Sequence, residues 1–134
     1  MLFLKKILIQ VLESDKTYLN ILISNSELQN QFQVTDFVLK TQKQIVKDFY
    51  SSSLYFDEKF QEIELSKNEI LEHIQCKLEE IIQIGETQLL QLLYQIDIPQ
   101  STFLEHIGEG NFIEKLSDLI LRREAYKVYL RSMF

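Results

Sequence analysis

Apolar residues recur every three or four positions along most of this chain, a spacing that predicts α-helix. The longest example begins at "SKNE", where Ser66 and Glu69 have the form of a capping box, and the pattern ends before Pro99. We predict a long helix over 67–96. Its apolar stripe repeats over eleven residues, a period that keeps one stripe aligned along a nearly straight helix. The stripe consists of Ile70, Ile74, Leu78, Ile81, Gly85, Leu89, Leu92 and Ile96.

Gly85 leaves two interpretations of this stretch open. A glycine on the stripe either lets a neighbouring helix come close or marks a kink between two shorter helices.

Two further stretches predict helices. "VTDFVLKTQKQIVKDFY" (34–50) is amphipathic, with Thr35 as the expected cap and with Lys40, Lys43 and Lys47 away from the centre of its apolar face. The last helix runs over 112–132, after a break at "GEGN". Between the helix over 34–50 and the one over 67–96, "SSSLYFDEKF" predicts a loop or an irregular helix end that packs its aromatic side chains. A short helix is expected in "STFLEHI" (101–107).

The first thirty residues allow two interpretations. Apolar residues at helical spacing predict one helix over 2–12 and a second over about 16–30, capped by Asp15. The same residues also fit two strands around "ESDK", because short apolar runs do not separate helix from strand. We prefer the helices, because the rest of the chain has a helical pattern.

Composition supports an all-α fold. The chain has 134 residues with only three glycines and one proline, and straight-chain residues dominate it. This length fits one domain, and no linker divides it. We predict a compact helical bundle of about five helices, forming a single domain over 1–134.

Charge and cysteine content exclude some classes of function. The net charge of −6 argues against nucleic-acid binding, which needs a basic surface. The single cysteine, Cys76, cannot form an internal disulfide, and this favours the reducing cytoplasm. The N-terminal stretch lacks a cleavage site, and no apolar run approaches the roughly 20 residues of a membrane span. We therefore expect a cytoplasmic protein whose N-terminal stretch packs in the core.

The only two histidines, His73 and His106, lie in two copies of "LEHI". Around the first copy, ligand-type side chains fall on one side of the predicted helix, which suggests a metal site. Neither copy has the Glu-x-x-His spacing of di-iron bundles or the paired histidines of zinc metalloproteases. A solvated helix face is therefore the preferred interpretation. The candidate ligands are Glu69, His73, Cys76 and Glu80.

No pattern predicts catalysis. Cys76 and His73 resemble a nucleophile and base only in composition, since no third group is identifiable to orient them. The sequence has no G-x-S-x-G elbow and no phosphate-binding glycine loop. We expect a protein that is not an enzyme and needs no cofactor.

The C-terminal stretch "LSDLILRREAYKVYLRSMF" differs from the other helices. Its second half is apolar on several sides, while Arg123 and Lys127 lie on the continuation of its core stripe. A helix that is apolar all round is deeply buried or touches a second partner, and Tyr and Arg are enriched at interfaces. We favour contact with another chain or with the N-terminal segment. The predicted interface consists of Leu121, Arg122, Arg123, Tyr126, Tyr129 and Arg131.

Three segments, "QFQVTDFVLKTQKQIVKDF", "LLYQIDIP" and "LILRREAYKVYLR", resemble a small family of bacterial all-helical proteins of unknown function. The resemblance implies a bacterial helical protein and assigns no catalytic residue.

These observations lead to a first hypothesis and two rivals. The first is a non-enzymatic helical protein that binds a protein partner or forms a homodimer. The main alternative is a metal-binding or redox bundle that uses the His73 region. A small-ligand or nucleic-acid module around the basic C-terminal helix is disfavoured by the acidic net charge.

Overall fold

The computed structural model describes residues 22–99 and 110–133, and within these ranges it is all-α, with no strand. The all-α prediction is therefore confirmed. The proposed helix over 2–12, the hairpin alternative, the short helix at 101–107 and His106 lie outside the described residues. The six described helices are α1 (Asn25–Gln31), α2 (Thr35–Tyr50), α3 (Lys59–Glu62), α4 (Lys67–Ile84), α5 (Glu86–Ile96) and α6 (Phe112–Met133).

The stretch predicted as one helix over 67–96 is two helices that meet at Gly85. The capping box is present at its start, where Ser66 and Glu69 bond each other's backbone N–H groups. Gly85 ends α4 and begins α5 with φ 151° and ψ 169°, a conformation essentially restricted to glycine. The predicted stripe is nonetheless the core, because every residue of it except Gly85 is buried. Both helices turn the same apolar face to the interior.

Helix α6 lies at the centre of the described fold. It packs against α1, α2, α4 and α5. Its apolar residues on opposite sides are therefore buried by the chain itself, and Leu116, Ile120, Leu121 and Ala125 are almost or fully inaccessible to solvent. Burial inside the bundle explains much of the two-sided pattern that suggested a second chain.

Two helix predictions need correction. The helix expected over about 16–30 is not helical at 22–24, and α1 begins at Asn25, where Ser24 caps it by accepting a hydrogen bond from the Glu27 N–H. The predicted start near 16 and its cap Asp15 lie outside the described residues. Thr35 does not cap α2. Its hydroxyl donates to Glu64 Oε2 at 3.0 Å, and Val34 occupies the cap position without a side-chain hydrogen bond.

Gln42 fixes the segment between α2 and α4 from inside the core. Its Nε2 donates to the carbonyl oxygens of Phe60 and Ile63, and its Oε1 accepts from the Leu65 N–H at 3.0 Å. The phenylalanines of this segment pack as predicted, because the ring of Phe56 stacks on that of Phe60 and meets the edge of Phe49, whereas Tyr55 is exposed.

No helix within 22–99 or 110–133 combines the length and the apolar character that crossing a bilayer requires.

Candidate functional site

Three ionisable side chains meet where α2 packs against α6. Asp48 of α2 and Glu124 of α6 are buried in the core, and Lys127, one turn after Glu124, is mostly buried. Lys127 Nζ lies 2.7 Å from Asp48 Oδ2 and 3.3 Å from Glu124 Oε1. Buried charges are stable only when they are paired, so one cation here serves two acids.

The pKa values of the two acids shift in opposite directions. Burial, reinforced by the adjacent Asp48 carboxylate, holds the pKa of Glu124 well above its ordinary value of 4.5. Burial also acts to raise the pKa of Asp48, but the neighbouring Glu124 carboxyl and the hydrogen bonds from Lys127 and Gln44 outweigh it and hold the pKa below 3.8. Glu124 as a carboxylate finds no hydrogen-bond donor in the described part of the chain. Of the two acids, Glu124 is therefore the one whose protonated form the fold favours.

Gln44 connects this buried cluster to the surface. Its Nε2 donates to Asp48 Oδ2 at 3.1 Å. Its Oε1 accepts a hydrogen bond from NH2 of Arg131, in the last turn of α6. The chain of contacts Lys127, Asp48, Gln44 and Arg131 thus runs from the core to the exterior.

At its outer end this series of side-chain contacts reaches an open groove of about 610 Å³ between α2 and the end of α6. The groove has an apolar floor that includes Phe37 and Val128, which are buried, and Val34, which is 52% exposed. Its rim carries four cationic side chains and one acid. The lining residues are Gln31, Val34, Asp36, Phe37, Lys40, Lys43, Gln44, Lys47, Val128, Arg131 and Ser132.

The predicted interface residues do not form one surface. Leu121 is fully buried and cannot touch a docked partner, which corrects its assignment. Arg122 donates to the carbonyl oxygen of Ile23 at 2.8 Å, and Arg123 donates to that of Ile96 at 3.3 Å. Both arginines therefore tie α6 to other parts of the same chain.

The remaining predicted interface residues lie closer to the surface. Tyr126 and Tyr129 are half-buried and pack against the core, with ring centroids 6.3 Å apart and nearly parallel planes. Arg131 is exposed and is the one member of the predicted interface that lines the groove.

The proposed metal ligands have other contacts. Glu69 bonds Ser66 in the capping box, and these hydrogen bonds lower its pKa. His73 packs edge-on against Phe60 with centroids 5.1 Å apart, and Glu80 pairs with Lys77 at 3.4 Å. Cys76 is exposed and free. Across residues 22–99 and 110–133, no three His, Cys, Asp or Glu side chains are grouped in a way that could hold a metal ion.

Sequence reasoning missed Asp48, Glu124 and Gln44. One signal was present, because Lys127 continues the apolar stripe of α6 and a cation on a core stripe requires a buried partner. The pattern alone did not identify the helix that supplies that partner.

Comparisons with protein-family models, curated proteins and solved structures give no match to this chain. The resemblance to a bacterial helical family therefore stays a prediction.

Proposed function

We propose that this chain is a non-enzymatic protein-interaction module that docks an acidic, partly apolar segment of a partner protein in the α2–α6 groove. The observation that carries the proposal is the combination in one open groove of an apolar floor with a cationic rim. Grooves of this kind bind amphipathic segments, whose apolar side chains fill the floor while their charges meet the rim.

The charges of the rim favour an acidic occupant. The whole chain has a net charge of −6, yet four of its cationic side chains face one groove. Asp36, the one acid among the described residues of the rim, already pairs with Lys40 at 3.0 Å. Lys43 and Lys47 form no ion pair within the described part of the chain. An acidic segment is thus attracted to the groove and repelled by the rest of the protein, which orients docking.

The apolar floor favours a protein segment over a nucleic acid. Val34, Phe37 and Val128 offer a surface for aliphatic or aromatic side chains, which a phosphate backbone does not supply. Nucleic-acid affinity also rests on neutralising many phosphates, and the acidic balance of this chain opposes it.

We place this interaction in the cytoplasm. Cys76 is exposed and free, and a reducing compartment keeps an exposed thiol from forming disulfides.

Selection from a displayed library of random peptides of about 15 residues, enough for about four helical turns, tests the proposal. We expect the enriched peptides to combine acidic with apolar residues. Replacing Lys43 and Lys47 with glutamate should weaken their binding about tenfold or more, whereas the same change at Lys59 and Lys67, exposed outside the groove, should have little effect. Fluorescence anisotropy of the labelled peptides measures both.

Val34→Ser separates docking from folding. Serine at this cap position should stabilise α2 by about 1 kcal/mol, because its hydroxyl can accept a hydrogen bond from an N–H of the first turn. It should nevertheless weaken peptide binding by removing part of the floor. Ile84→Ser, at an exposed aliphatic residue outside the groove, is the matched control. Enrichment of basic peptides, tighter binding of an oligonucleotide, or peptide binding indifferent to all groove variants contradicts the proposal.

A further inference from the structure

Arg131 differs from the other cations of the groove because a buried group fixes its position. One of its guanidinium nitrogens donates to Gln44 Oε1, and Gln44 Nε2 donates to Asp48 Oδ2 at 3.1 Å. Asp48 also accepts from Lys127, so its carboxylate acts only as an acceptor. The amide of Gln44 must therefore turn its nitrogen inward and its oxygen toward Arg131.

This arrangement leaves a prepositioned guanidinium at the groove. Arginine has five N–H donors in a rigid planar fork, and within the described residues Gln44 is the one hydrogen-bond partner of Arg131. The other donors are available to a carboxylate, which the fork can bind through two parallel hydrogen bonds. Lys43 and Lys47, by contrast, are compact charges on flexible stems, with no fixed partner among residues 22–99 and 110–133.

We propose that Arg131 binds one carboxylate at a fixed position of the docked segment, and that Gln44 is its positioning residue. This inference rests on the proposed function. The lysine side chains of the rim attract an acidic segment in any register, whereas Arg131 sets the register of the segment in the groove.

A scan of a peptide selected on this groove tests the inference. Each Glu and Asp of the peptide is changed in turn to Gln or Asn, and the C-terminus is compared as free acid and as amide. Substitution at one position, the special position, should weaken binding about tenfold or more. Substitution at each of the other acidic positions should weaken binding only a few-fold, and that effect should disappear at high salt. If that position is the terminus, the recognised group is the terminal carboxylate.

The same scan on three variants assigns the effect to Arg131. Arg131→Gln should abolish the difference between the special position and the others, and Arg131→Lys should restore only part of it. Gln44→Met keeps the side-chain length but cannot accept a hydrogen bond from Arg131. Substitution at the special position should therefore have a smaller effect on binding, while the general preference for acidic peptides remains. A melting curve for each variant excludes unfolding as the cause.

The failure of this inference differs from the failure of the proposed function. Acidic peptides that bind the groove with equal cost at every carboxylate, or a special position that persists in Arg131→Gln, overturn the role of Arg131 and leave the docking groove intact. Peptide binding that the groove variants leave unchanged contradicts both the role of Arg131 and the docking groove.

Discussion

Lys127 Nζ lies 2.7 Å from Asp48 Oδ2, and this ion pair joins α6 to α2 in a place that solvent hardly reaches. The cation is shared with Glu124, whose oxygens find no hydrogen-bond donor within the described residues. Two acids beside one cation cannot both be ionised without cost, because like charges at low dielectric repel strongly. The cluster therefore makes folding depend on pH.

The pKa directions give the sign of this dependence. Glu124 has a raised pKa, so above pH 4.5 the native state keeps a proton that the unfolded chain has lost, and stability falls as pH rises through this window. Asp48 has a lowered pKa, so its contribution is complete above pH 3.8 and is lost as pH falls through its native pKa. The cluster should favour folding most at mildly acidic pH.

We predict that Glu124→Gln stabilises the protein at pH 8 by about 2 kcal/mol, since glutamine stays neutral and removes the free-energy cost of keeping Glu124 protonated in the native state after the unfolded chain has lost that proton. At pH 5 the variant and the wild type should be nearly equal. Urea unfolding at both pH values measures the difference, with Glu79→Gln, at an exposed site, as the control. A wild-type stability that is the same at both pH values, with no gain in Glu124→Gln, contradicts this account.

Substitution of Gln42 should lower the stability of the fold more than substitution of most other polar residues. Gln42→Leu leaves two backbone carbonyls and the Leu65 N–H without their present partner, and we expect a loss of about 3 kcal/mol. Chemical denaturation of this variant can be compared with that of Gln83→Leu, an exposed glutamine on α4 that should change stability by less than about 0.5 kcal/mol. Equal effects of the two substitutions would show that the Gln42 hydrogen bonds contribute little.

Gly85→Ala should destabilise the junction of α4 and α5. Its φ of 151° disfavours any side chain, and an added Cβ would lie 3.0 Å from Gln88 Oε1. Because that side chain can move, backbone strain dominates, and we expect a loss of roughly 1–3 kcal/mol.

Gly110→Ala is the matched control for the junction. A Cβ at Gly110 meets no atom within 4 Å, and its φ is not positive, so alanine should be neutral or slightly stabilising. Similar melting temperatures for Gly85→Ala and the wild type would mean that α4 and α5 can join into one helix.

Periodicity predicted much of the fold because burial follows it closely. The stripe from Ile70 to Ile96 is core, and Lys40, Lys43 and Lys47 are exposed as expected. The position of the break at Gly85 stayed open, because a glycine on a stripe fits both a close approach and a kink. Thr35 was misassigned as a cap, since its hydroxyl has a more distant partner in Glu64.

The candidate site was harder to predict because it depends on which helices meet. Arg131 was recognised as an interface residue, but its position depends on Gln44 and Asp48, which belong to another helix 87 and 83 residues earlier in the sequence. The apolar pattern of α6 suggested an outside partner, while burial by the surrounding helices accounts for Leu121. A periodic pattern reports that a face is covered without identifying what covers it.

The most direct test of the docking groove is a map of amide chemical-shift changes when a selected acidic peptide is added to the labelled protein. We predict that the largest changes fall within residues 34–47 and 128–132, on both sides of the groove, and that they shrink in the variant carrying glutamate at Lys43 and Lys47. Changes centred instead on the exposed Tyr94, or on α4 around Cys76, would contradict docking between α2 and α6.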